Sequence, residues 1–167
     1  MCPEPPCDAG VLKISTFMPT EEYLPLVIRE FKRLKQLADR AVSQVPASQF
    51  FTQPGPEDNS LAVIMKHVGG NMCSRWSDFL TTDGEKPGRN RDLEFVIVKT
   101  DSREGLLDLW EKGWTTLFTA LTPLQSADLS RTVLIRGEPL SVLQAINRQL
   151  SHYAYHVGQI VFLAKHL

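Results

Sequence analysis

The sequence is poor in cysteine, in net charge and in long apolar runs. Its three cysteines are an odd number, and Cys2 and Cys7 both stand in a proline-rich leader. That argues against a disulfide framework and fits a reducing compartment. Cys2 and Cys7 have no further Cys or His beside them, whereas a structural zinc site takes four ligands. No apolar run reaches the roughly 18 residues needed to span a bilayer. The start of the chain also lacks the basic residues and apolar stretch of a secretory signal. With 18 basic and 19 acidic residues the net charge is −1, so there is no electrostatic drive toward nucleic acid. Neither an internal repeat nor a low-complexity linker divides the chain. These absences point to a soluble cytoplasmic protein with a small-molecule substrate and no nucleic-acid or membrane partner.

What is present is an ordinary globular composition, 43% hydrophobic and 22% charged over 167 residues, enough for one domain. From Thr20 to Val45, Leu24, Val27, Ile28, Phe31, Leu34, Ala38, Ala41 and Val42 recur at three- and four-residue intervals between basic residues. That period predicts an amphipathic helix, with Thr20 as cap and Pro46 beyond its end. A second helix is expected from Asn59 or Ser60 to about Leu80, with Leu61, Ile64, Met65, Val68, Met72, Trp76 and Phe79 on its apolar face. Gly69-Gly70 inside it costs helix propensity, which suggests close approach of another backbone or a ligand. After a polar loop rich in Gly and Pro, Leu93–Val98 reads as a short strand or an extended segment. A third helix is expected over Ser102–Leu121. Thr132–Ile135 is β-prone and Arg136-Gly-Glu-Pro reads as a turn, so a small β-hairpin is expected before the last helix, which starts near Pro139 or Leu140. The architecture these elements imply is all-α, a four-helix bundle, whose sites are built by side chains projecting inward from facing helices.

His152 and His156 are four residues apart, which on a helix stacks both imidazoles on one face, where they can chelate one ion. Tyr153 stands where a zinc protease carries its glutamate base, so that chemistry is excluded. At about 100° per residue His67 falls on the flank of the second helix's apolar face, together with Asn71 and Asp78. Three neutral imidazoles would leave a coordination position for substrate or water. The competing reading of each histidine is a hydrogen-bonded or exposed residue on a bundle helix.

Longer motifs sharpen this picture: His67-Val-Gly-Gly-Asn-Met, Ser74-Arg-Trp-Ser-Asp-Phe-Leu-Thr-Thr-Asp-Gly-Glu-Lys-Pro, Arg89-Asn-Arg-Asp-Leu-Glu-Phe, Ile135-Arg-Gly-Glu-Pro and Asn147-Arg-Gln-Leu-Ser-His-Tyr-Ala-Tyr-His-Val-Gly-Gln-Ile. The chain resembles the DinB-like (DinB/YfiT) superfamily of metal-binding four-helix bundles, and within it a bacterial branch known only as a domain of unknown function. The likeness runs from about Phe31 to the C-terminus. It implies a bundle fold over residues 17–167, frequent homodimers, and a divalent ion, zinc or nickel, on His67, His152 and His156. Characterised relatives include transferases and isomerases that use low-molecular-weight thiols such as bacillithiol, mycothiol or glutathione. The leader, residues 1–16, is outside the resemblance.

Other residues carry weaker signals. Cys73 reads as a small buried hydrophobe rather than a nucleophile. Arg75 falls near the middle of the second helix's apolar face, and if buried it needs a partner: Asp78, a loop carboxylate or an anionic substrate. Asn71 could orient a metal-bound water or simply pack. Gln159 and Tyr155 lie beside the histidine pair, where they could hold a ring nitrogen. The charged residues between Trp76 and Phe95 are either a turn and ion-pair network or a pocket rim. Asn71, Arg75 and Asp78 are the catalytic candidates. The reading that follows is a metal-dependent thiol transferase, with a metal-dependent hydrolase and a non-catalytic metal-binding dimeric module as alternatives.

Overall fold

Four helices and one hairpin make up the computed structural model, which describes residues 19–167, with side chains from Glu22 onward. The proline-rich leader with Cys2 and Cys7, and the side chain of Thr20, lie outside the described residues. The chain runs α1 (Pro19–Ser43), α2 (Leu61–Trp76), α3 (Arg103–Leu121), β1 (Thr132–Ile135), β2 (Glu138–Ser141) and α4 (Val142–His166). The expected four-helix bundle with a hairpin before the last helix is what forms. No helix among the described residues is long and apolar enough to cross a membrane.

The periodicity that predicted α1 is the periodicity it buries. Leu24, Val27, Phe31, Leu34, Ala38 and Val42 face the core, while Arg29, Lys32, Arg33 and Arg40 stay exposed. Pro25 sits in the second turn, at the loss of one ladder hydrogen bond. α2 packs chiefly on α3, and α1 on α4. Each helix sends one ring to a shared centre: Phe31 lies 6.3 Å from Trp76, 6.4 Å from Trp114 and 6.0 Å from Tyr153. Tyr153, fully buried, donates its hydroxyl hydrogen to Asn71 Oδ1 (3.0 Å) and accepts one from Trp76 Nε1 (3.0 Å).

Gly69 and Gly113 are what let α2 and α3 approach. A Cβ on Gly69 would stand 3.1 Å from the Leu109 carbonyl oxygen, and one on Gly113 would stand 3.2 Å from that of Gly69. The expected close backbone contact at Gly69 is therefore with α3.

Three boundaries differ from expectation. α2 stops at Trp76 rather than near Leu80: Ser77 is extended and Asp78 takes φ +47. There the Asp78 carbonyl accepts from the amides of Thr81 and Thr82, and the Ser77 hydroxyl bonds back to Cys73. Local side-chain and turn bonds replace the ladder. For Leu93–Val98 the strand alternative fails: Asp92–Phe95 is a 3-10 turn, only from Val96 is the backbone extended, and no strand among the described residues pairs with the segment. α4 starts at Val142, because Pro139 and Leu140 pair with Leu134 and Val133 in the hairpin. Ser141 caps α4, its side chain accepting from Gln144 N while Gln144 reaches back to the Ser141 amide; the two bonds form a capping box.

Candidate metal centre

α2 and α4 bring the three predicted histidines together. His67 Nε2 is 3.4 Å from His152 Nε2, and His156 Nε2 is 3.1 Å from the same atom. One ligand nitrogen from each lies within 4.8 Å of the others. Nitrogens about 2.0–2.1 Å from one tetrahedral ion stand about 3.3 Å from each other, so this spacing fits a single divalent ion.

The outer nitrogens explain why the inner ones converge. His67 Nδ1 donates to Glu94 Oε2 at 2.9 Å, and His156 Nδ1 to Gln159 Oε1 at 2.8 Å. Each bond places the proton on Nδ1 and turns the Nε2 lone pair inward, the usual arrangement behind a ligating imidazole. Gln159 is itself held by the Tyr155 hydroxyl (3.1 Å). Glu94 is buried, yet Arg89 grips both its oxygens, Nε to Oε1 at 2.8 Å and Nη2 to Oε2 at 2.7 Å. Burial pushes the Glu94 carboxyl up, but the hydrogen bonds from His67 and Arg89 outweigh it and hold the group below its ordinary range. Burial is also the main cause that lowers His152 to about 3 and His156 to about 4, with neighbouring imidazoles adding to the shift at His152. Both rings are neutral at pH 7, the form that binds metal.

The second glycine of the pair serves this centre. A Cβ on Gly70 would come 2.5 Å from Glu94 Oε1, so the bare backbone leaves room for the carboxylate that holds His67. The segment carrying Glu94 is pinned by Lys66, which donates to the Val96 carbonyl and to Asp101 Oδ2 at 2.8 and 2.7 Å. Phe95 lies against the His67 ring, centroids 4.6 Å apart.

A cavity of about 210 Å3 opens beside His67 and His152, bordered also by Asn71 and Arg75. Two of the three catalytic candidates thus face it. Asn71 spends its carbonyl on Tyr153, so orienting water is left to its amide group. Arg75 is 4% exposed and its partner is not Asp78: the nearest carboxylate is Glu85, 3.5 Å from Nη2. Burial, the largest influence, pushes this guanidinium below its ordinary value. Asp78 is exposed and borders a different cavity, with Phe79, Thr115 and Thr119. Its left-handed backbone after the end of α2 turns it away from the flank that helical continuation would have given it. Cys73 is half-buried, and burial raises its thiol away from the thiolate form.

Glu94, Arg89 and Gln149 were not singled out by the sequence. Glu94 and Arg89 stand in the motif Arg89-Asn-Arg-Asp-Leu-Glu-Phe, but within a charged stretch that reads more readily as a turn and ion-pair network than as a pocket rim. The one usable signal was Gly70, whose missing side chain makes the space Glu94 fills.

A family described as a protein of unknown function (DUF1572) matches over residues 19–167. The fold is similar to the crystal structure of a conserved protein from Enterococcus faecalis, with a TM-score of 0.63 and 14% sequence identity, covering 84% of this chain and 94% of that one. At that identity the likeness shows a shared fold alone. No curated protein sequence matches the chain.

Proposed function

The chain belongs to the DUF1572 family of proteins of unknown function, and we propose that it is a divalent-metal-dependent enzyme of the DinB-like kind, most similar in chemistry to thiol-dependent S-transferases. The observation that carries this reading is the convergence of three Nε2 atoms at 3.1 and 3.4 Å beside an accessible cavity. His67, His152 and His156 would hold the ion, zinc or nickel. Such an ion supplies a positive centre that favours the deprotonated form of a coordinated thiol. Glu94 and Gln159 fix two of the rings, and Arg89 keeps Glu94 ionised so that it accepts from His67. Asn71 and Arg75 position substrate in the adjoining cavity. The same reading takes residues 17–167 as one domain behind the leader, and the protein as a cytoplasmic homodimer.

Hydrolysis by an activated water is less well supported. A general base would be needed, and no Asp or Glu borders the cavity; Glu94 is engaged on both oxygens by Arg89. A closed, purely structural site would have a fourth protein ligand, and the cluster among the described residues contains three.

The test is elemental analysis of the purified chain, followed by a screen of small thiols against model electrophiles with zinc, nickel and manganese. One equivalent of metal and metal-dependent loss of thiol are expected. A chain that retains no divalent ion, or that turns over no thiol with any of them, removes the reading.

A further inference from the structure

We infer that the cavity beside the histidines binds the oxyanion group, carboxylate or phosphate, of a small ligand. This deepens the proposed function by naming the ligand class, and it rests on that reading only for the part played by His152. Three residues that border this space carry buried side-chain atoms with no hydrogen-bond partner among the described residues: Arg75 Nε and Nη1, His152 Nδ1 and Gln149 Oε1. Arg75 and Gln149 are 4% and 3% exposed. Buried polar groups are paired as a rule, and a charged one left unpaired is expensive. With its Nε2 turned to the ion, His152 carries its proton on Nδ1. Three of the four atoms are then donors that need an acceptor.

The surroundings supply positive charge and, Gln149 Oε1 apart, no unpaired acceptor. Arg91, Arg136 and Arg148 also border the cavity, and no carboxylate does. Glu85 is shared among Arg75, Arg89 and Arg136, at 3.5, 3.0 and 3.4 Å, so the Arg75 and Arg136 contacts are longer than good N–H···O bonds. Among the described residues Arg148 pairs only with the exposed Glu138. Arg91 has no ion pair among the described residues and lies 5.2 Å over the Phe95 ring.

The protein also builds the space that holds Arg75. A Cβ on Gly84 would meet Arg75 Nη1 at 2.7 Å. Arg136 is kept at φ +58 at the hairpin tip, a position costly for a residue with a side chain. Asp83 sustains it by accepting from the Arg136 and Gly137 amides at 2.8 and 2.7 Å. Positive φ at both Arg136 and Gly137 is what a two-residue type I′ hairpin turn requires, and this turn leaves Arg136 at the border of the cavity. A cavity of about 210 Å3 has room for the charged end of a ligand, leaving the rest to extend outward past the rim arginines. Planar guanidinium forks are suited to carboxylate and phosphate alike.

The experiment is calorimetric titration of the metal-loaded full chain, at low ionic strength, with inorganic phosphate and separately with acetate. Saturable one-to-one binding of at least one is expected, and which binds more tightly identifies the oxyanion. Arg75→Lys should weaken it at least about tenfold, since a charge-assisted fork is lost. If that buried variant fails to fold, the exposed pair Arg91→Gln with Arg148→Gln decides, with a severalfold loss and a shallower salt dependence expected. Absence of saturation with both anions, as from a cavity holding water alone, overturns the inference, as does affinity unchanged in the variants that fold. A chain that binds metal but neither anion leaves the metal reading intact; one that binds an anion through Arg75 but holds no metal leaves the oxyanion site standing.

Discussion

The imidazole of His67 is aimed by a carboxylate that is itself aimed by a guanidinium, and each step of that relay can be probed by one substitution. Replacing His67, His152 or His156 with Ala should reduce bound metal from one equivalent to a small fraction, read by elemental analysis after dialysis. Glu94→Gln keeps the shape but weakens the acceptor, and should cost roughly 10–100-fold in metal affinity, measured by chelator competition. A metal content unaffected by the histidine variants would place the ion elsewhere. Acid should act on the same groups. His152 and His156 are neutral in the fold down to about 3 and 4, while unfolded histidine protonates near 6.5. Between those limits the unfolded chain binds more protons, so stability rises with pH and falls on acidification. Glu94, with its lowered carboxyl, extends the loss below its ordinary value. Thermal melting of metal-free protein from pH 7.5 to 4.5 should therefore show a falling midpoint, with a flatter profile in the double His152→Ala, His156→Ala variant.

Between helices, adjacent glycines in α2 answer to different neighbours. Gly69 faces Leu109 of α3, whose side chain would lie 2.9 Å and whose backbone 3.1 and 3.2 Å from an added Cβ; the backbone cannot yield, so Gly69→Ala should destabilise by about 1–3 kcal/mol through overpacking. Gly70 faces the end of the Glu94 side chain, which can move. Gly70→Ala should cost less stability and more metal affinity, because the displaced carboxylate no longer holds His67. Denaturant melts and chelator competition on both variants separate the effects; equal losses of both properties would contradict the assignment. The cap of α4 is a further element-scale device, and Ser141→Ala should cost about 1 kcal/mol in the same melts.

Across the molecule, the aromatic centre, shared by all four helices, and the histidine cluster both tie α2 to α4. Tyr153 lies one residue from His152, accepts from Trp76 in α2 and donates to Asn71 on that helix. Tyr153→Phe would strand the buried Trp76 N–H, at about 1–3 kcal/mol, and loosen the register that brings His67 to His152. An ion held by α2 and α4 in the fold but not by the unfolded chain would stabilise by mass action, about 4 kcal/mol at a thousandfold excess over its dissociation constant. Metal-loaded protein should melt at a higher temperature than chelator-treated protein, and the difference should vanish in His67→Ala.

Helix content and the pairing of His152 with His156 were legible in the chain because both rest on short-range spacing. Apolar residues at three- and four-residue intervals marked α1 to α4, and a four-residue separation put His152 and His156 on one face without reference to any other element. The end of α2 was misread because hydropathy continues through Phe79 while Asp78 breaks the backbone, a choice made by local hydrogen bonds. Which carboxylate holds His67, which groups Arg75 lacks, and where Asp78 points were decided by tertiary packing alone. Those outcomes depend on loops folded back over α2, and a charge in a polar loop carries no periodicity from which its partner could be inferred.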